Sequence, residues 1–103
     1  MKHDYFTLSV WKVKPGMAEE FRAAWRDMAK AFSELPDPPI RITLLQSMVD
    51  PLLYYSFSPW VSTDAIHAMR RDAGIKGEIK RVTDLCTEYR MDNFHARDEI
   101  DNG

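Results

Sequence analysis

Residues 5–35 read YFTLSVWKVKPGMAEEFRAAWRDMAKAFSEL, and two periodicities meet in them. From Tyr5 to Lys14 aromatic and β-branched residues alternate with others, the period of a strand. Lys14-Pro15-Gly16 ends that strand, because proline withdraws a backbone donor and glycine permits a tight turn. Beyond the turn Met17, Phe21, Ala24, Trp25, Met28, Phe32 and Leu35 recur at steps of three and four. Glu19, Glu20, Arg22, Arg26, Asp27 and Lys30 fill the other side. The spacing predicts an amphipathic helix of about five turns, with Glu19 and Glu20 suited to the positive end of its dipole.

Outward from this strand–turn–helix opening, Pro36-Asp37-Pro38-Pro39 stops the helix. Ile40 to Val49 predicts a second strand, Asp50-Pro51 a tight turn, and Leu52 to Phe57 a third strand. So short a link implies an antiparallel hairpin. Ser62, Thr63 or Asp64 caps a second helix that turns Ile66 and Met69 inward. A break is expected near Gly74, followed by a helical piece burying Ile75, Ile79, Val82 and Leu85. Tyr89 to Ala96 alternates as a last strand, and Arg97 to Gly103 reads as a loose acidic tail. The order is βαββαβ, an α+β fold of the ferredoxin-like kind. It predicts a four-stranded antiparallel sheet with helices on one face. The expected organisation is one domain over residues 1–96 and a flexible tail over 97–103.

The 103 residues carry 14 Lys and Arg against 16 Asp and Glu, a net charge of −2. That length suits a single domain. The acidic balance argues against nucleic acid as a partner, since phosphate binding needs clustered cations. The densest basic stretch, Lys76 to Arg81, is interrupted by Glu78. No apolar run approaches the ~20 residues of a membrane span. The opening Met1-Lys2-His3-Asp4 leads straight into strand-like sequence without a signal-peptide core. A cytoplasmic protein with no membrane partner is expected. The lone Cys86, among Val82, Leu85 and Tyr89, reads as a buried, inert thiol.

Side chains of a strand alternate faces. Phe6, Leu8 and Val10 form one side of the first strand; Tyr5, Thr7, Ser9 and Trp11 form the other. In the third strand Leu53, Tyr55 and Phe57 oppose Leu52, Tyr54 and Ser56. One face is almost wholly apolar and the other mixes large rings with hydroxyls, so neither suits full exposure. Hydrophobicity alone would put Phe6, Leu8 and Val10 under the helices. With two helices to cover two faces, the second cover is best supplied by another copy of the chain, which predicts a homodimer.

His3, His67 and His95 lack metal-ligand spacing, and no Gly-rich phosphate loop, nucleophile elbow or CxxC is present. No metal is expected. Trp60 closes the third strand just before a helix cap, and its parity matches Tyr54 and Ser56. A cavity lined by rings and hydroxyls would suit a flat phenolic or polycyclic ligand.

Val13-Lys14-Pro15-Gly16 followed by Glu19, Glu20 and Phe21 on a helix resembles the antibiotic biosynthesis monooxygenase family. The strand ending at Trp60, followed by Ser62 and an Ala-Ile helix start, extends the resemblance over roughly Tyr5 to Ala96. The resemblance implies a dimeric α/β barrel with a ligand cavity between sheet and helices in each protomer. It implies a cofactor-independent monooxygenase acting with dioxygen on a small aromatic substrate, phenolic, anthrone-like or quinol, without cofactor or metal. Trp60 and Ser56 then take catalytic roles, Ser56 standing where polyketide-oxidising members carry Asn. Ser9, Trp11, Trp25, Tyr54, His67 and Met69 take substrate-binding roles. Lys80 or Arg81 would steady an anion if either points inward. Ser9, Met69 and Ile79 stand where the haem-degrading branch uses Asn, Trp and His, which argues against haem degradation. By this layout Ser9, Trp11, Tyr54 and Ser56 face the helices, while Leu8, Val10, Tyr55 and Phe57 face a partner. Replacing Trp60 by Phe is expected to harm turnover more than folding. The alternative is a non-catalytic small-molecule-binding dimer of the same fold.

Overall fold

The computed structural model describes residues 4–103; His3 and the rest of the expected domain's first three residues lie outside them. Strand β1 (Tyr5–Val13) leads to helix α1 (Ala18–Ser33), then β2 (Thr43–Gln46), β3 (Leu53–Trp60), α2 (Thr63–Arg71), α3 (Ala73–Thr83) and β4 (Cys86–His95). The strands form one antiparallel sheet in the order β2-β3-β1-β4. This is the ferredoxin-like arrangement, with the second helix divided in two.

Local chemistry explains the boundaries. Gly16 turns the chain from β1 into α1 at φ 80°, a conformation that glycine adopts without steric cost. The N-cap of α1, Met17, offers no side-chain acceptor, and Glu19 and Glu20 in the first turn answer the exposed N–H groups instead. Its buried stripe is Phe21, Ala24, Trp25, Met28 and Phe32. Ser62 caps α2 by accepting from the Ala65 N–H at 3.1 Å. The break expected near Gly74 falls at Asp72. The Asp72 N–H closes α2 on the Met69 carbonyl, and its Oδ1 opens α3 by accepting from the Ile75 N–H at 3.0 Å.

The hairpin is looser than its sequence implied. β2 keeps only Thr43–Gln46 of the expected Ile40–Val49; before it, the chain leaving Pro38-Pro39 is tied to the sheet by a backbone hydrogen bond, Ile40 N–H to the Pro59 carbonyl at 2.8 Å. The expected two-residue turn is a loop braced by side chains. Ser47 Oγ accepts from the Val49 and Asp50 N–H groups, and Asp50 Oδ1 accepts from Leu52. Lys12 of β1 pairs with Asp50 and ties that loop to the centre of the sheet. β3 runs on through Pro59 to Trp60, which is tolerated because β2 pairs no further than Thr43 opposite Phe57.

The helices cover the mixed face, not the more uniformly apolar one. Trp11, Trp60, Phe21, Val13 and Val82 are almost completely buried there. The reason is area: a buried indole or phenol removes more surface from water than Leu or Val. The opposite face, with Leu8 paired to Phe57 and Val10 to Tyr55, has no helix over it among the described residues. Tyr55, Leu45 and Phe94 remain 41%, 51% and 49% exposed. Among the described residues no helix is long and apolar enough to cross a membrane, and residues 96–103 form no helix or strand.

Cys86 opens β4, 8% exposed, with its Sγ 3.5 Å from the Val82 carbonyl. Burial pushes the thiol up from 9.0 to about 11, against a smaller opposing pull from Lys14. A thiol that ionises more readily unfolded than folded contributes stability below the unfolded value and loses it as pH rises through the folded one. The urea midpoint is therefore expected to decline between pH 9 and pH 11 and less so in Cys86→Ala. Identical pH profiles for the two proteins would remove Cys86 as the cause.

Candidate functional site

Four hydroxyls lie side by side on the helix-covered face. In the β1–β3 ladder Ser9 stands opposite Ser56 and Thr7 opposite Ser58. Two buried indoles, in turn, donate to two of these hydroxyls. Trp11 Nε1 reaches Ser56 Oγ at 3.0 Å, and Trp60 Nε1 reaches Thr7 Oγ1 at 2.9 Å. A hydroxyl that accepts such a bond still has its own proton to donate. Low local dielectric and the incoming bond both strengthen that second bond.

These hydroxyls form the floor of a cavity under the helices. Its walls include Trp25, Met28 and Phe32 of α1, Met69 and Arg70 of α2, Ile79 of α3 and Met91 of β4. Its volume is about 30 Å³, room for about one or two waters against the ~300–1,000 Å³ of typical ligand pockets. A ring can enter only if side chains move. Met28, Met69 and Met91 are suited to that, being unbranched and conformationally adaptable. Arg70 is the cation of the lining, and it donates to Asn93 Oδ1 at 2.7 Å. Among the described residues no carboxylate or imidazole lines the cavity. Among the described residues no cluster of three or more His, Cys, Asp or Glu could hold a metal ion.

A family model described as antibiotic biosynthesis monooxygenase matches residues 5–77. The chain belongs to that family. Solved structures share its fold at low identity. A mutant of SnoaB, a cofactor-independent oxygenase from Streptomyces nogalater, is 21% identical with a TM-score of 0.85, the match covering 95% of this chain and 97% of that one. A conserved protein from Methanosarcina mazei Go1 is 12% identical with a TM-score of 0.82, covering 93% and 95%. PA3566 from Pseudomonas aeruginosa is 15% identical with a TM-score of 0.75, covering 95% and 98%. No curated protein matches the sequence.

Of the residues that the antibiotic biosynthesis monooxygenase resemblance singled out, Ser9, Ser56, Trp11, Trp25 and Met69 meet at the cavity. Three do not. Trp60 is 0% exposed, lies 6.1 Å from Phe32 and donates its N–H to Thr7 Oγ1, so it backs a cavity hydroxyl without lining the cavity itself. Tyr54 packs 4.9 Å from Phe21 and faces a separate groove between α1 and β2. His67 is exposed and borders a cleft with Tyr5 and His95, whose rings stack at 5.0 Å. Lys80 is engaged by Asp84, and Arg81 by Glu78 and Asp27, so neither lines the cavity; Arg70 does.

Thr7, Ser58, Met28 and Met91 also line the cavity but were not singled out. The parity that selects Ser9 and Ser56 selects Thr7 and Ser58 as well, and it could have found them. Nothing in the Ala68-Met69-Arg70-Arg71 segment distinguishes Arg70 from Arg71 without the angle of α2.

The burial of Trp60 adds a stability cost to its replacement. Trp60→Phe leaves unfilled volume and removes the donor to Thr7, and a loss of ~1–3 kcal/mol in urea-measured stability is expected. An unchanged midpoint would show that the site repacks and that Trp60 is not structural.

Proposed function

We propose that this protein is a cofactor-independent monooxygenase that oxidises a phenolic, anthrone-like or quinol substrate with dioxygen. Family membership and the fold shared with SnoaB, a cofactor-independent oxygenase, support the reaction class. The observation that carries it is the hydroxyl floor, with Ser56 oriented by Trp11 and Thr7 by Trp60, facing apolar walls and a single arginine. Such a surface suits a flat ring bearing an oxygen anion.

The substrate supplies the electrons. Taking an anthrone as the example, loss of a ring-carbon proton gives a delocalised anion whose oxygen receives the Ser56 and Ser9 hydroxyl protons as hydrogen bonds. The anion passes one electron to dioxygen, and the resulting radical and superoxide join as a carbon-bound peroxide. Protonation and O–O cleavage, with loss of the remaining proton from that carbon, give a quinone and water. The chain binds the anion, holds the ring against the sheet and keeps water out. Arg70 biases the cavity toward the anionic form.

A homodimer belongs to the same reading, because no helix among the described residues covers the Leu8, Val10, Tyr55 and Phe57 face. Sedimentation at micromolar concentration is expected to give twice the 12.0 kDa chain mass. A monodisperse monomer would overturn this part alone.

The second reading, a non-catalytic small-molecule-binding dimer, is favoured by the lack, among the described residues, of a carboxylate or imidazole on the cavity wall. Oxygen uptake with a panel of anthrones and quinols, without added flavin or metal, separates the two. The monooxygenase reading expects uptake matched to quinone formation, and a fall in kcat of ~10²-fold in Ser56→Ala, the loss typical for one donor to developing negative charge. Binding without uptake would establish the second reading.

A further inference from the structure

The groove that Tyr54 faces lies between α1 and β2, has a volume of about 510 Å³, and carries Arg22 and Arg26 on its helical wall. The two arginines are one helical turn apart and so present their side chains on the same face. Among the described residues no carboxylate lies within 4.0 Å of either guanidinium. Asp27, between them in sequence, is turned to Arg81 at 3.3 Å. Glu19 and Glu20 share the outer surface of α1 with both arginines and pair with neither.

This groove adjoins the hydroxyl-floored cavity. Trp25 and Ile42 line both. Trp25 is 8% exposed, and its Nε1 is the one buried side-chain N–H without an acceptor among the described residues. A buried donor left unpaired is costly, and native structures rarely keep one without a use. An oxygen of a ligand spanning the shared wall would satisfy it.

We propose that the groove is an anion subsite, in which Arg22 and Arg26 bind the carboxylate of an aromatic acid whose ring occupies the cavity. The inference rests on the ring-binding reading above and adds the substrate class: a polycyclic phenol or anthrone bearing a carboxylic acid arm. Guanidinium groups match carboxylates with paired, charge-assisted bonds. The arm passes between Trp25 and Ile42, where the indole N–H meets a ligand oxygen.

Binding of two non-reacting probes, anthraquinone-2-carboxylate and anthraquinone-2-carboxamide, tests this by calorimetry, with no turnover required. The wild-type protein is expected to hold the carboxylate about tenfold more tightly than the amide, the scale of one hydrogen bond to a charged group. In Arg22→Gln/Arg26→Gln that preference disappears while amide affinity stays the same. Both positions are exposed and glutamine is a good helix former, so the urea midpoint should hold; Arg26→Gln alone gives an intermediate preference. Equal affinities in the wild type, or a preference that survives the double replacement, overturns the subsite and leaves the monooxygenase reading standing. If neither probe binds, the ring cavity fails and the subsite fails with it.

Discussion

A buried indole must place its N–H on an acceptor, and in this chain two such indoles find theirs on the neighbouring strand. Trp11 of β1 donates to Ser56 of β3, and Trp60 of β3 donates to Thr7 of β1. The two bonds cross the same ladder in opposite directions. A slip of one residue in that ladder would turn every side chain of one strand to the other face. It would also leave two indole donors buried without partners, at ~1–3 kcal/mol each. The bonds therefore select one register, and that register is what sets Ser9 against Ser56 and Thr7 against Ser58. Hydroxyls on a helix-covered face are thus partly a structural requirement of the tryptophans, and their remaining protons become the polar surface of the cavity.

How much of this was legible follows from what each signal depends on. The α1 stripe, the Ser62 cap and the order of elements depend on residues close in sequence, and each was readable. The helix break expected near Gly74 falls at Asp72, which both closes α2 and opens α3. β2 was overestimated because Ile40 and Ile42 have strand character, yet the chain leaving Pro38-Pro39 is tied to the sheet by the Ile40 bond to Pro59 and the strand begins only at Thr43. Apolar pattern alone chose the wrong face for the helices, since it counts residues where burial counts area.

The site was less legible for a geometric reason. Parity places Ser9, Ser56 and Trp60 on one face, but it does not give depth along the strand. Trp60 plugs the end of β3 behind Phe32, a wall of the cavity, and its indole supports Thr7 from there. Tyr54, at the other end of β3, looks past Phe21 into a different groove. Residues of one parity are therefore divided among a plug, a cavity floor and a groove wall. The cations followed the same logic: Lys80 and Arg81 have acidic neighbours on or near their own helix, whereas Arg70 is held at the cavity by Asn93 of β4.

The composition of the cavity wall also limits what the protein can do for a bound molecule. Serine and threonine hydroxyls donate hydrogen bonds to an anion but are far too weakly acidic or basic to take a proton from carbon near neutral pH. Arg70 lowers the cost of negative charge without accepting a proton, because a guanidinium does not deprotonate in proteins. A wall of this kind stabilises an anion that the ligand's own acidity makes accessible, and it offers little to a ligand whose proton is held tightly. Selectivity would then be exercised through acidity and shape together: the methionines adapt to the outline of the ring, and the hydroxyl floor rewards only the ionised form. The same division lets three unbranched thioethers surround so small a cavity without disturbing the hydroxyl floor. The precise geometry resides in the sheet, where two indole bonds hold the hydroxyls, and the adaptable volume resides in Met28 and Met69 of the helices and Met91 of β4.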